Sequence, residues 1–199
     1  MSQVDETVQM TLLVEKACAG NRFAYEQLVN LFQEGIFRMV YYRTNSTMDA
    51  EDITQDTFIQ AFKNLSRLKT AEKFKSWLYS IAINKIRDFH RKKRFQNLFG
   101  SFSDKENDER TYPENEDNPD AMDNLIKQDF WKQVRLLLDK LPPMEREVFT
   151  LRFMDHLSIK EISLVLKKGE STVKTHLYRS LQKFRKAPSM LALLKENAS

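Results

Sequence analysis

Residues 74–94 read Phe74-Lys75-Ser76-Trp77-Leu78-Tyr79-Ser80-Ile81-Ala82-Ile83-Asn84-Lys85-Ile86-Arg87-Asp88-Phe89-His90-Arg91-Lys92-Lys93-Arg94. Leu78, Ala82, Ile86 and Phe89 recur at helical spacing, which predicts a helix that buries one face. Asn84, Arg87 and Arg91 then share the opposite face, with Trp77 and Tyr79 at its entry. Cations follow phosphates, and flat aromatic rings give unpaired bases a stacking surface worth about 1–3 kcal/mol per base. Aromatic residues leading into a basic helix suit a protein that holds DNA strands apart. A half-buried core helix with a solvated basic end has the same pattern, and the segment alone does not choose between the two.

The rest of the chain narrows the setting. Its 199 residues allow one ordinary domain or two small ones. Fourteen Phe, six Tyr and two Trp can fill cores, while only four Gly argue against a turn-dense sheet fold. No apolar run approaches the roughly 20 residues that span a bilayer, and the polar N-terminus is unlike a signal peptide. A single Cys18 excludes an internal disulfide and fits a reducing cytoplasm. The expectation is an all-α cytoplasmic protein with no direct membrane insertion.

Charge divides the sequence in three. Residues 1–96 carry a net +4, residues 97–124 a net −7 and residues 125–199 a net +7. Two basic blocks therefore flank an acidic bridge. That bridge holds Pro113 and Pro119, few large apolar groups and dense Asp, Glu and Asn. Such a composition does not offset the entropy of ordering, which predicts a flexible linker between two small helical domains. The expected divisions are 1–96, 97–124, 125–187 and a tail over 188–199.

The first block reads as helices throughout. Residues 8–19 are amphipathic and stop at Gly20, a suitable C-cap. Residues 23–42 place Leu28, Leu31, Phe32, Ile36, Phe37, Val40 and Tyr41 on a broad apolar stripe. After a break at Asn45-Ser46-Thr47, Asp49 is the expected cap of a helix through Phe62. On that helix Phe58, Ala61, Phe62 and Leu65 are expected inside, with Glu51, Asp52, Gln55 and Asp56 clustered on its surface. An acidic patch in a basic domain repels DNA, so as a working surface it needs a basic protein partner. The same carboxylates also complement a helix dipole. Residues 66–73 form a polar, basic loop.

In the second block, Ile126, Phe130, Val134, Leu137 and Leu138 fit a buried stripe, Leu141-Pro142-Pro143 makes a stop, and residues 144–153 restart a helix. A helix-turn-helix candidate follows. Ser158 to Glu161 matches a capping box, and Ile162, Val165 and Leu166 give the first helix a core face. Lys167-Lys168-Gly169 is the turn, with Gly169 expected to supply a positive φ. A second helix starts near Ser171, with Val173, Leu177, Leu181 and Phe184 inward. Lys174, Thr175, Tyr178 and Arg179 are then outward near its start, where a recognition helix meets base edges and phosphates. Lys183, Arg185 and Lys186 can hold the DNA backbone further along.

Taken in order, these segments resemble one family, the extracytoplasmic-function sigma factors of bacterial RNA polymerase. Ala50-Glu51-Asp52-Ile53-Thr54-Gln55-Asp56-Thr57-Phe58 resembles the family's polymerase-binding helix. Phe74 to Ala82, followed by Asn84, resembles its promoter-melting and −10-reading segment. Leu141-Pro142-Pro143 with Glu145-Arg146, Arg152-Phe153 and the hairpin over 158–185 resembles its −35-reading domain. The likeness spans roughly residues 8–186.

The resemblance implies a non-enzymatic protein without cofactor or metal that directs promoter-specific transcription initiation. Its implied partners are core RNA polymerase (the β′ clamp and the β flap), promoter DNA both duplex and single-stranded, and an anti-sigma factor. Glu51, Asp52, Gln55 and Asp56 would meet the clamp. Phe74, Lys75, Trp77, Tyr79, Asn84, Lys85, Arg87, Arg91, Lys92 and Lys93 would serve the −10 element and melting, with a flipped base against the loop over 66–73. Ser171, Thr172, Lys174, Thr175, Tyr178 and Arg179 would read the −35 element. The acidic linker is open to two readings, a nucleic-acid mimic inside polymerase channels or a solvated tether. The amphipathic stretch 190–195 suits either packing on its own domain or a regulator. Lys167-Lys168, His176, Tyr178 and Ser180 depart from the family's usual small or arginine residues, which leaves the preferred upstream sequence open.

A one-component transcription regulator with a C-terminal helix-turn-helix is the alternative. It would bind specific DNA tightly by itself and have no use for Trp77 and Tyr79 on single strands. Catalysis has little support: Cys18, His90, His156 and His176 lie far apart without metal-ligand spacing, and no Gly-rich phosphate loop is present.

Overall fold

The computed structural model describes residues 3–99 and 136–186, which are helical with no strand among them. They belong to two compact units. In the N-terminal unit, α1 (Gln3–Cys18) ends where Gly20 takes φ 94°, a left-handed conformation glycine adopts without a Cβ penalty. Asn21 then caps α2 (Arg22–Thr44), its side chain accepting from the Ala24 N–H at 3.0 Å. Asn45 closes α2 at φ 57°, with its N–H donating to the Tyr41 carbonyl. The cap of α3 (Thr47–Asn64) is Ser46 rather than Asp49: the Ser46 hydroxyl accepts from the Asp49 N–H, and Asp49 lies in the first turn. A serine hydroxyl one residue before the helix is as good an acceptor as a carboxylate, so the chain enters the helix earlier than expected.

The basic loop holds two short 3-10 turns, Leu65–Arg67 and Ala71–Lys73, and leads into α4 (Phe74–Phe99). That helix runs three residues past the expected end of the domain at 96. α2 packs on α1, α3 and α4, and α3 also packs on α4. Leu28, Ile36, Met39, Val40, Leu78, Ala82 and Ile83 are buried in this unit. Two expected core positions are not: Leu31 and Phe62 are about half exposed, Phe62 at 49%.

In the C-terminal unit, a helical turn over 136–139 precedes Leu141. α5 (Pro143–Phe153) starts with proline in its first turn, where no intrahelical N–H is needed. α6 (Ile159–Leu166) carries the capping box in full: the Ser158 N–H donates to Glu161 Oε2 at 2.7 Å and the Glu161 N–H to Ser158 Oγ at 3.2 Å. α7 (Glu170–Lys186) packs on α5, where Phe149 and Phe184 stack at 4.3 Å, interplanar angle 3°. The left-handed residue of the α6–α7 turn is Lys167, at φ 52°, and Gly169 has no positive φ. The inward stripe of α7 is Val173, Leu177, Ser180 and Phe184; Leu181 is partly exposed. Ser180 fits there because its hydroxyl donates to the Leu177 carbonyl at 2.7 Å, so it is buried without an unmet donor. The expected linker from residue 100 onward, the stripe residues Ile126, Phe130 and Val134, and the tail over 188–199 lie outside the described residues.

Candidate nucleic-acid and polymerase interface

α3 turns Glu51, Asp52, Gln55 and Asp56 outward, all exposed, because Ile53, Thr57 and Phe58 take the inner face. Beside this face the α2–α3 surface opens into an apolar groove of about 810 Å³. Tyr25, Phe37, Phe58, Ile59 and Phe62 line it, with Glu51 and Gln55 at its border. Tyr25 donates to the Phe58 carbonyl at 2.6 Å, and burial pushes its phenol up to about 12. Tyr25 and Phe62 rings meet at 5.0 Å. Thr54 Oγ1 in the same wall is buried with no hydrogen-bond partner. Sequence reading missed the groove, since Phe62 fits a core stripe by spacing; Phe58, Ile59 and Phe62 together span more of the helix than one narrow stripe, which was the available signal.

On α4 the basic face forms as its spacing predicts. Asn84, Arg87 and Arg91 are exposed opposite buried Leu78, Ala82 and Ile86, and Lys92 and Lys93 are exposed further along the helix. Arg91 pairs with Asp88 at 2.9 Å, and Lys93 sits 5.9 Å from the Phe89 ring centre. The aromatic entry differs from expectation. Phe74 is 1% exposed, packed against Phe32 at 5.5 Å and Trp77 at 6.0 Å, and Tyr79 is 5% exposed. Neither can offer a ring face to a base, because both fill the contact between helices. Trp77 and Lys75 are half-buried. Lys85, expected on DNA, forms an ion pair with Asp56 of α3 at 2.9 Å.

α7 exposes Ser171, Thr172, Lys174, Thr175, Tyr178 and Arg179 on one side of its first turns, Tyr178 at 63%. Thr175 donates to the Ser171 carbonyl, and Gln182 donates to the Tyr178 hydroxyl at 2.8 Å, steadying that ring. Lys183, expected on the DNA backbone, reaches Glu145 at 2.7 Å, a carboxylate whose side chain is 7% exposed. It therefore neutralises a buried charge and ties α7 to α5.

A helix-turn-helix unit with an exposed basic second helix, in a chain whose other helical unit bears an acidic and a basic face, is the arrangement expected of a DNA-directed transcription protein. The Sigma-70 region 2 family matches residues 28–96, and the Sigma-70 region 4 family matches residues 131–184. The chain is 31% identical over 180 residues to the ECF RNA polymerase sigma factor BldN of Streptomyces coelicolor, covering 89% of this chain and 65% of that protein. It is 32% identical over 144 residues to a probable RNA polymerase sigma factor of Haemophilus influenzae, covering 66% of this chain and 72% of that one. In fold it is similar to CnrH, solved in complex with the cytosolic domain of CnrY, with a TM-score of 0.64 at 24% identity over 94% of this chain and 97% of that one. The chain belongs to the extracytoplasmic-function branch of the RNA polymerase sigma factors.

Proposed function

We propose that this sigma factor docks on core RNA polymerase through Glu51, Asp52, Gln55 and Asp56, and directs initiation at promoters read at two places. The observation that carries the reading is the exposed carboxylate face of α3 bordering an apolar groove, with α4 packed on α3 and its cations outward. Such a face suits a basic helical partner such as the β′ clamp, whose apolar side chains would enter the groove. Phosphates of the −10 region would lie along Asn84, Arg87, Arg91, Lys92 and Lys93, with Trp77 as the remaining aromatic at the strand-opening end. Ser171, Thr172, Lys174, Thr175, Tyr178 and Arg179 would read the −35 element as duplex. Residues 1–96 and 125–187 would act as the two working domains, joined by the acidic segment 97–124.

The protein would work in the cytoplasm as an initiation factor rather than a catalyst; no helix among the described residues is long and apolar enough to cross a membrane. The groove also suits an anti-sigma factor, which would silence the protein by covering the polymerase-docking face. Replacing Asp52 and Asp56 together with Lys should abolish co-elution with core polymerase, since like charges would face the clamp, and leave helical circular dichroism unchanged. Unchanged holoenzyme formation by that variant would refute the docking face.

A further inference from the structure

Asp56 and Lys85 form a direct bond between the two functional faces of the N-terminal unit. Lys85 Nζ lies 2.9 Å from Asp56 Oδ2, a charge-assisted hydrogen bond spanning 29 positions of sequence. The Lys85 side chain is 23% exposed and that of Asp56 is 64% exposed. Asp56 is the water-exposed end of the pair, where another cation can compete for its carboxylate. Asp56 also lies one turn beyond Asp52, at the end of the acidic face, while Lys85 follows Asn84 at the start of the cationic one.

We propose that this pair couples polymerase docking to DNA binding. In the free chain Asp56 occupies Lys85 and cancels its charge, so the DNA face has one cation fewer. When a cation of the polymerase claims Asp56, Lys85 is released for a phosphate of the promoter. The released charge strengthens DNA binding only where polymerase is present, and by reciprocity DNA-bound Lys85 leaves Asp56 free for polymerase. The inference rests on the docking reading above and adds a direction of control to it.

The test is the salt dependence of binding by the full-length free chain to a short fluorescein-labelled single strand of mixed sequence. Each phosphate contact on a single strand contributes a slope of about 0.7 in log affinity against log salt. Asp56→Asn should steepen the slope by about 0.7, which is about five-fold in affinity per decade of salt. Lys85→Gln alone should leave the free chain's slope unchanged, because its charge is already cancelled. Asp56→Asn combined with Lys85→Gln should return to the wild-type slope. An unchanged slope in Asp56→Asn would overturn the proposal. So would an equal increase in the double variant, which would mean that removing any negative charge suffices. Titrating the same Asp56→Asn chain with core polymerase separates the two layers. Several-fold weaker docking upholds the underlying reading whatever the slopes show, whereas wild-type docking would remove both it and the coupling.

Discussion

Gly35 lies inside α2, where an added Cβ would sit 3.2 Å from the Tyr79 hydroxyl of α4. Two terms compete in Gly35→Ala. Alanine gains about 1 kcal/mol of helix propensity, and the close contact removes a comparable amount by displacing the ring. The substitution is therefore expected to be near neutral alone and stabilising by about 1 kcal/mol in a Tyr79→Phe background. Urea unfolding of the four members of that cycle checks it, and additive effects would mean that the two helices do not meet at this point. Other residue-level features divide by whether local chemistry decides them. The Ser158–Glu161 capping box was legible because both its partners are local. The turn was not: Gly169 tolerates any φ, yet the chain spends its left-handed residue at Lys167, at the C-terminus of α6. Where a helix ends depends on its packing, which no residue type announces.

At the scale of elements, α4 was legible in its period and misread in its aromatics. Period alone tells which residues share a face, and Asn84, Arg87 and Arg91 do share one. It does not tell how many neighbours surround the first turns. Because Phe32 of α2 closes over Phe74, the ring expected at the DNA face became core. Of the three aromatics expected at the helix entry, Trp77 is thus the one with surface left to offer, and it carries the strand-opening prediction. Trp77→Ala should retain polymerase binding but lose the equivalent of one stacked base, about 1–3 kcal/mol, in promoter opening. Trp77→Phe should recover part of it. Permanganate reactivity of unpaired thymines reads the open strand; normal opening by Trp77→Ala would take the aromatic out of the mechanism. The same logic explains α7, where Ser180 replaces the more hydrophobic Leu181 on the inner face. Hydrophobicity ranks candidates, but helix geometry at 100° per residue selects among them, and a hydroxyl bonded to its own helix costs little inside.

At the scale of the whole molecule, two modest surfaces proposed to read DNA would become useful when one partner fixes their spacing. Joining them converts the second contact into an intramolecular event, at an effective concentration set by the connection. Polymerase would supply that geometry, and the Asp56–Lys85 pair would make the first surface respond to its arrival. Charge blocks and motif order made the two-part organisation legible from sequence. The groove between α2 and α3 was not, because it is made by two helices whose exposed apolar residues look, one helix at a time, like core. The most direct test of the central claim is run-off transcription with purified chain and bacterial core polymerase on fragmented DNA from its source, mapping RNA 5′ ends. The account predicts discrete starts that require both proteins and share two upstream elements. No initiation, together with tight site-specific DNA binding by the chain alone, would contradict it.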